Sequence, residues 1–512
     1  MRRTVERTIA WLIVCGAVVA AGTATWWMTA LPEAVETAGT VTKREEVEDL
    51  AAHLDALVPR LMRRYDVPGV GMAIVRDGEL AWAAAYGLAD RAAGRPMEMA
   101  SVYQVGSISK PVTARGIMLL AERGLIDLDA PVRTYLRSWD FPVEAQGLDR
   151  VTTRMLLSHT AGMPLGSFGN EHDPHGEVPP LRAALTHEAY LLRDPGTGFS
   201  YSNVGFNLLE LLVEEVTGRG FASFMQEEVL GPIGMERSSF DWSESFAGAI
   251  ATGYDLRGEP IRPYVYPEKA SGGLFSDVTD IARFVAAGMM GTGSGNRPVA
   301  DRTALEQLYE PTATIGGAFG LVADWYGLGH FLERLPAGGL AAWHGGQGLG
   351  WMAHFHAVPD TGDGIVILTN SQRSWPVIAT VLGEWARWSG IGSVKFAVIS
   401  LGVALLWLLV ALLAAATVVG AAYILRGLLV GDRSFHPFAR CCRVKRAAAF
   451  VMGCATGAWL VWASAQPYLM VTSVFPGVTD WAATVLGCFA VVLIASSLAV
   501  RHPSSGPEIV DP

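Results

Sequence analysis

Residues 103–110 read Tyr-Gln-Val-Gly-Ser-Ile-Ser-Lys, and the last four place the Ser107 hydroxyl three positions before the Lys110 amine. On a helix, residues i and i+3 share one face, so a nucleophile would lie beside a potential base. A buried lysine can lose its proton near neutral pH, whereas an arginine cannot. The alternative is an ordinary helix start, in which a serine caps the backbone.

The residue after this motif locates the start of the helix. Pro111 is tolerated only in the first helical turn, so the helix must begin close to Ser107. The positive end of the helix dipole would then stabilise negative charge that develops at this serine and on a substrate oxygen. The chain holds only five lysines, which makes a chance pairing of serine with lysine less common than usual.

Two other short motifs carry polar groups that could serve the same site. Tyr201-Ser202-Asn203 lies just before a predicted helix, so helix capping explains this motif about as well as catalysis does. His344-Gly345-Gly346 precedes a predicted hairpin, where paired glycines allow a ligand to approach a strand edge. Taken alone, turn formation is the better explanation of these glycines.

Together and in this order, the three motifs resemble the serine β-lactamase and penicillin-binding protein superfamily. They are most similar to the branch of class C β-lactamases, D-alanyl-D-alanine carboxypeptidases and family VIII esterases. The similarity covers roughly residues 45–390, the size of one large domain. Further segments that look like this branch are Leu-Leu-Ser-His-Thr-Ala-Gly at 156–162, Pro195-Gly196, Phe-Ser-Tyr-Ser-Asn at 199–203 and Ser-Gly-Gly-Leu-Phe-Ser at 271–276.

Strand and helix patterns in the same region predict an α+β fold. Hairpin patterns lie at both ends of the region, the first around an Asp77-Gly78 turn, and helical patterns lie between them. We therefore expect a β-lactamase/transpeptidase-like antiparallel sheet built from both ends of the domain, with an inserted helical region. The patterns are strands at 70–75, 80–86, 351–358 and 364–368, and helices at 112–122, 204–216, 277–287 (after a Ser276 cap) and 375–388.

The resemblance implies an acyl-serine mechanism with three catalytic residues. Ser107 would attack a carbonyl carbon while Lys110 and Tyr201 share its proton. Tyr201 would later activate the deacylating water or return the proton to the leaving group. Coupled this closely, the lysine and the tyrosine should titrate as a pair. Such a mechanism needs neither a metal nor an organic cofactor.

The same resemblance implies which residues bind the substrate. Asn203 would hold the substrate's amide side chain or position Lys110, and the backbone N–H groups of Ser107 and Gln347 would form the oxyanion hole. Many relatives have Lys-Thr-Gly where this chain has His344-Gly345-Gly346, so a permanent positive charge for a substrate carboxylate is missing. Efficient β-lactam hydrolysis is therefore disfavoured, and esters, D-amino-acid peptides and amides become better candidates.

Some histidines outside these motifs are also candidate metal ligands. His354 and His356 share one face of a predicted strand, and a polar loop at 171–175 carries two more histidines. Neither group has convincing ligand spacing, and solvent exposure explains both, so no metal site is predicted. His159 belongs to the 156–162 segment, where the resemblance implies a buried structural histidine.

The composition indicates that part of the 512-residue chain lies in a membrane. Hydrophobic residues make up 51% and charged residues 17%, which is too apolar for an ordinary soluble protein or for disorder. The formal charge of −10 gives no broad cationic surface, so a nucleic-acid partner is not expected. None of the five cysteines lies between Trp26 and Arg440, which excludes disulfide and thiol chemistry there.

Four apolar stretches predict a multi-pass protein of the plasma membrane. The first, within residues 1–31, follows Arg2, Arg3 and Arg7 and is typical of a signal peptide or an uncleaved signal anchor. The other three contain no Asp, Glu, Lys or Arg. They are residues 396–425, 447–465 and 481–500.

The loops between these stretches predict the orientation. The loop at 426–446 is rich in arginine and lysine, whereas residues 466–480 contain neither. The positive-inside rule therefore places the basic loop and the tail, 501–512, in the cytoplasm. The domain at 40–390 would face the extracytoplasmic side.

These observations predict a membrane-anchored serine hydrolase that acts on an amide or an ester. Cell-wall peptide, an ester of a D-amino acid and a small ester are all candidate substrates, and the sequence does not choose between them. One alternative is a penicillin-recognising receptor that is acylated without turnover and signals through its membrane helices, although its cytoplasmic segments are short. Another is an inactive relative that only binds, against which the intact catalytic motifs count.

Overall fold

The structure is a computed structural model that divides into two units. The large unit is Val41–Ile399, and the described part of the second unit begins at Ser400. The predicted N-terminal segment, residues 1–31, lies outside the described residues, as does the predicted tail beyond residue 501. The described residues are 46–139, 147–166, 171–290, 301–436, 443–466 and 470–501.

The large unit is built on a nine-stranded antiparallel sheet whose strands come from both ends of the unit. The first and last strands in sequence are direct neighbours, with Met72 opposite Ile367. The predicted α+β fold class is confirmed. In chain order the strands are β1 Gly69–Arg76, β2 Glu79–Asp90, β3 Arg95–Pro96, β4 Tyr103–Gln104, β5 Gly253–Tyr254, β6 Pro260–Ile261, β7 Phe275–Ser276, β8 Ala313–Thr314, β9 Trp325–Tyr326, β10 Phe331–Arg334, β11 Leu340–Gln347, β12 Met352–Val358 and β13 Asp363–Thr369. The large sheet has the order β3-β2-β1-β13-β12-β11-β10-β9-β8.

The helical region lies between the two groups of strands, as the sequence predicts. One prediction is wrong by a residue, because Asp277 rather than Ser276 caps the helix that follows β7, and its side chain accepts the N–H of Asp280. Ser276 is still part of β7, where its hydroxyl lies 2.7 Å from that of Ser238. The helices are α1 Val47–Tyr65, α2 Ser109–Glu122, α3 Thr153–Leu157, α4 Leu181–Glu188, α5 Asn203–Thr217, α6 Phe221–Met225, α7 Val278–Ala286, α8 Arg302–Leu308 and α9 Trp375–Trp388.

Helices α2 and α5 are buried deeply in the core of the large unit. Every residue of α2 from Ser109 to Leu120 is buried, including Lys110. The leucines of α5 are fully buried, and each contributes about 1.5–3 kcal/mol by leaving water. The first turn of α2 therefore lies in a medium of low polarity, which raises the cost of any charge placed there.

The described part of the second unit consists mainly of long apolar helices. Three helices in the described residues are long and apolar enough to cross a membrane, with candidate spans Lys395–Val430, Arg443–Ser464 and Val478–Leu498. Gly453 permits close packing of the last two, because a Cβ there would lie 2.7 Å from Cγ1 of Ile494. Its elements are α10 Val398–Val430, β14 Arg433–Phe435, α11 Arg443–Ser464, α12 Met470–Val474, α13 Val478–Leu498 and β15 Ala499–Arg501.

Candidate active site

The structure brings together the serine and the lysine of the first motif. Ser107 lies on a single 3-10 turn, Gly106–Ile108, that leads directly into α2. Nζ of Lys110 is 3.1 Å from Oγ of Ser107, which is hydrogen-bond distance. The helix start required by Pro111 is therefore observed, and it holds the hydroxyl and the amine side by side.

The surroundings of the Lys110 amine favour its neutral form. Nζ is 2.8 Å from Oδ1 of Asn203 and 2.7 Å from the carbonyl oxygen of Ser271. Burial lowers the pKa of Lys110 well below its ordinary value. Both of these oxygens can only accept, so a neutral amine donates its two N–H groups to them. Its remaining lone pair is then left for the hydroxyl proton of Ser107.

Tyr201 also lies beside the serine hydroxyl. Its hydroxyl group hydrogen bonds with Ser107, and Nζ of Lys110 is 5.0 Å from the centre of its ring. Burial raises the pKa of Tyr201 above its ordinary value, and the smaller effect of the Ser107 hydrogen bond does not offset this. Near neutral pH, Tyr201 therefore keeps its proton, and Lys110 is the stronger candidate for the base.

Helix capping and catalysis were the two explanations of the second motif, and the structure assigns them to neighbouring residues. Ser202 is the N-cap of α5, and its Oγ accepts the N–H of Gly205. The same Oγ donates to the carbonyl oxygen of Pro164 at 2.6 Å. Since Ser202 is the cap, the side chain of Asn203 is not needed for capping. It contacts the amine of Lys110 instead.

The third motif lies on β11, which passes against the turn that carries Ser107. Gly346 allows this approach, because a Cβ there would lie 1.8 Å from the carbonyl oxygen of Val105 and 3.3 Å from N of Ser107. Gly106 has a φ of +53°, and a Cβ on it would lie 3.0 Å from N of Gln347. The backbone nitrogens of Ser107 and Gln347 therefore both lie where the 3-10 turn meets β11.

His344 is buried beside the site and does not line its cavity. Its Nε2 is 3.1 Å from the hydroxyl of Tyr326, and its Nδ1 is 2.8 Å from the carbonyl oxygen of Gly345. Burial, together with the nearby Lys110, lowers the pKa of His344 well below its ordinary value. This position therefore offers no positive charge to a substrate carboxylate.

A family model described as "Beta-lactamase" matches residues 54–380, more than half of the chain. The chain belongs to this family. The predicted membership of the β-lactamase and penicillin-binding protein superfamily is confirmed.

Relatives of this β-lactamase-family chain include serine hydrolases with different names. Esterase EstB of Burkholderia gladioli is 33% identical over 230 residues, 42% of this chain and 58% of the esterase, so less than two thirds of that protein is matched. Penicillin-binding protein 4* of Bacillus subtilis is 26% identical over 348 residues, 63% of this chain and 72% of that protein. The solved octameric penicillin-binding protein homologue from Pyrococcus abyssi gives a TM-score of 0.56 at 25% identity, over 65% of this chain and 77% of that one. These similarities place the chain among serine hydrolases.

A cavity of about 60 Å³ opens beside Ser107. Its lining includes Ser107 and Asn203 from the first two motifs and Gln347, the residue that follows the third motif on β11. A substrate carbonyl placed in it would meet the serine hydroxyl first, since the Lys110 amine is fully buried.

The interpretation of His354 and His356 as solvent-exposed is wrong, because both are fully buried. They lie on β12, an interior strand of the sheet, and Nε2 of His356 is 3.0 Å from Oε1 of the buried Glu333. Trp385 of α9 packs against His356 at 5.6 Å between ring centres. Within the described residues, no group of three or more His, Cys, Asp or Glu side chains has the geometry of a metal site.

Glu210 is a site-supporting residue that the sequence analysis missed. Its Oε2 accepts the N–H groups of Lys269 at 2.6 Å and Ala270 at 2.8 Å. The next residue, Ser271, supplies the carbonyl oxygen that contacts Lys110. The available signal was an acidic residue within the buried leucine stripe of α5, where a charge requires a partner.

We expect Glu210→Gln to change how stability depends on pH. Burial raises the pKa of Glu210 from its ordinary 4.5 to about 8, so the folded state binds the proton more tightly than the unfolded state. The free energy of unfolding should therefore fall as pH rises from about 4.5 to about 8, by at most about 1.4 kcal/mol per pH unit. Glutamine has no such proton and should remove this part of the slope.

Denaturant unfolding of the full-length protein at pH 5.5 and 7.5 measures the effect. The difference in unfolding free energy between wild type and Glu210→Gln should shift in favour of the variant at the higher pH. Glu236→Gln, at an exposed position, is the matched control. A difference that stays constant with pH would contradict the buried-carboxyl interpretation.

We expect Gly346→Ala to lower kcat/KM by about 10²–10³-fold, the usual cost of a displaced oxyanion-hole donor. The added Cβ would meet the carbonyl oxygen of Val105 and push β11 away from Ser107. Steady-state rates on an ester measure the loss. Gly220→Ala is the matched control, since a Cβ there meets nothing within 4 Å. An unchanged rate in Gly346→Ala would rule out this contact as part of the oxyanion hole.

Proposed function

We propose that this chain is a serine hydrolase that acts through an acyl-serine intermediate, with esters as its preferred substrates. Ser107 is the nucleophile, Lys110 the base and Tyr201 the proton donor. The observation that carries this proposal is the buried Lys110 amine, which lies within hydrogen-bond distance of two carbonyl oxygens and of Oγ of Ser107. As a neutral amine it donates to the two carbonyl oxygens and accepts the hydroxyl proton of Ser107.

The reaction begins when Oγ of Ser107 bonds to the substrate carbonyl carbon and its proton passes to Nζ of Lys110. The N–H groups of Ser107 and Gln347 hold the negative oxygen that develops. Tyr201 gives its proton to the leaving group and recovers one from Lys110. Water then attacks the acyl-serine ester by the same proton path in reverse, which releases the acid and restores the serine.

Esters are favoured over peptides that end in a carboxylate. Position 344 carries a buried neutral histidine, so the third motif supplies no charge that would hold a terminal carboxylate. The similarity to an esterase at 33% identity supports the same choice. Cell-wall peptide is the second candidate, supported by the similarity to penicillin-binding protein 4*.

We further propose that the enzyme is a multi-pass protein of the plasma membrane, with its catalytic unit on the extracytoplasmic side. Its support is the length and apolar composition of α10, α11 and α13, together with the basic residues at 426–446. Such an anchor keeps the enzyme near substrates of the cell envelope.

A time course of intact mass on full-length protein in detergent tests the mechanism. The protein is mixed separately with a short p-nitrophenyl ester and with a penicillin, and Ser107→Ala is the control. We expect a transient acyl adduct on Ser107 with continuing release of product from the ester. A lasting penicillin adduct without ester turnover would favour the alternative function, a penicillin-recognising receptor that is acylated without turnover. Equal product release by Ser107→Ala would overturn the acyl-serine mechanism.

A further inference from the structure

The strand that carries Gln347 has different neighbours on its two faces. Successive residues of a strand face opposite sides of the sheet, so Gly346 faces one side of β11 while Gly345 and Gln347 face the other. On the first side, a Cβ on Gly346 would lie 3.3 Å from N of Ser107. On the second, a Cβ on Gly345 would lie 3.0 Å from Cη2 of Trp375. The catalytic turn therefore lies against one face of this strand, and Trp375 covers the other.

Trp375 contacts the second face of β11 at two points. It is the first residue of α9, and its ring packs directly on the backbone of Gly345. Its Nε1–H donates to Oε1 of Gln347 at 3.2 Å. Trp375 is only 8% exposed, so this hydrogen bond lies in a medium of low polarity that strengthens it. The tryptophan therefore restrains the residue whose backbone N–H lies beside Ser107.

Phe396 packs on Trp375 from outside the helix. The two ring centres are 5.3 Å apart. The same ring lies 5.5 Å from that of Trp343, which is also on β11, and 4.6 Å from that of His354 on β12. Phe396 is 5% exposed, so it fills the space that these three rings border. Loss of its ring would leave a cavity into which Trp375 could move.

Polar contacts fix the segment that carries this phenylalanine to the sheet. The segment is a 3-10 turn, Lys395–Ala397. The N–H of Lys395 donates to Oε2 of the buried Glu333 on β10 at 2.7 Å, and its Nζ donates to Oδ1 of Asp324 at 2.6 Å. The first candidate membrane span, Lys395–Val430, therefore begins with residues that are packed on the sheet of the large unit.

We propose that Trp375 and Phe396 are positioning residues that hold the oxyanion hole through Gln347. The inference rests on the proposed function, in which the N–H of Gln347 binds the negative oxygen. An oxyanion-hole donor is effective only when it lies about 3 Å from that oxygen. The start of the first candidate membrane span thus supports catalysis from the face of β11 opposite Ser107.

The first test compares two tryptophans of the same helix. Trp375→Phe keeps an aromatic ring but removes the Nε1–H. Trp388→Phe is the matched control at the other end of α9, where the guanidinium of Arg76 lies over the ring. Hydrolysis of p-nitrophenyl acetate is measured on full-length protein in detergent, per active site counted by complete labelling with a fluorophosphonate. We expect kcat to fall about tenfold in Trp375→Phe, the factor that about 1.4 kcal/mol corresponds to, and to stay unchanged in Trp388→Phe.

The second test removes the ring of Phe396 and then refills its space. Phe396→Ala should lower kcat per active site about tenfold, because Trp375 loses the ring that it packs on. Phe396→Leu should restore at least about half of the wild-type kcat, because leucine fills most of the same space. Phe221→Ala is the control, since it removes a buried ring of α6 that packs on Phe240 at 4.9 Å. It should lower the melting temperature and leave kcat per active site unchanged.

Inhibition by phenylboronic acid gives a readout that a loss of stability does not change. Oγ of Ser107 forms a bond to boron while its proton passes to Lys110, and an oxygen of the tetrahedral boronate occupies the oxyanion hole. Such an adduct resembles the transition state, so its affinity should follow the rate. We expect Ki to rise about as much as kcat falls in Trp375→Phe and in Phe396→Ala, and to stay unchanged in both controls.

Two sets of results separate this inference from the proposed function. Ser107-dependent turnover in which Trp375→Phe and Trp388→Phe have the same kcat and the same Ki would overturn the positioning role and leave the hydrolase standing. The same holds if Phe396→Ala loses stability but keeps both constants. Hydrolysis that is no faster in wild type than in Ser107→Ala would overturn the hydrolase and the positioning role together.

Discussion

Ser107→Ala loses about 10⁵–10⁶-fold in kcat on an ester, because no covalent intermediate can form without Oγ. The residual rate is what the oxyanion hole and substrate binding alone provide. Stability should change little, since the side chain lost is small and lies at the edge of the cavity. Steady-state kinetics and thermal unfolding of full-length protein measure the two effects.

Ser109→Ala is the matched control within the same motif. Oγ of Ser109 donates to the carbonyl oxygen of Gly106 at 2.7 Å and accepts the N–H of Leu274 at 3.0 Å. Its loss leaves a buried N–H without a partner and should lower stability by about 1–3 kcal/mol. The nucleophile remains, so most turnover should remain. If the two serines gave the opposite signatures, Ser109 rather than Ser107 would be the nucleophile.

The contact between Ser107 and Lys110 could be predicted from sequence because it is local. Ser107 and Lys110 are three positions apart at the start of one helix, and Pro111 fixes where that helix begins. The division of roles between Ser202 and Asn203 could not be predicted in the same way. It depends on Pro164 and Lys110, which are distant in the chain and become neighbours only in the folded unit.

The errors also come from long-range packing. The alternating pattern places His354 and His356 on one face of a strand, but it does not say that α9 covers that face. Glu210 was hidden by the leucine periodicity that identified its helix. Its supporting role depends on contacts with the backbone of the loop at 269–271, which is distant in sequence.

Lys110→Arg should lower kcat/KM by about 10³–10⁴-fold, close to the full contribution of a general base. Lys110 can act as a base because burial lowers its pKa. The guanidinium of an arginine at this position would stay protonated. Arginine is also larger, so it should reduce the melting temperature of the large unit. Lys110→Met separates the two effects, because it removes the base while adding no buried charge.

The pH profile then distinguishes a base from a residue that only fills space. In wild type, Lys110 must be deprotonated, so kcat/KM should fall as pH decreases through its lowered pKa. At high pH the rate should fall again when Tyr201, whose pKa is raised, loses its proton. Lys110→Met has nothing to protonate at this position, so its small residual rate should lack the acidic fall. A methionine variant that keeps both wild-type rate and this acidic fall would mean that another group accepts the serine proton. The close contact between Nζ and Oγ would then only organise the turn.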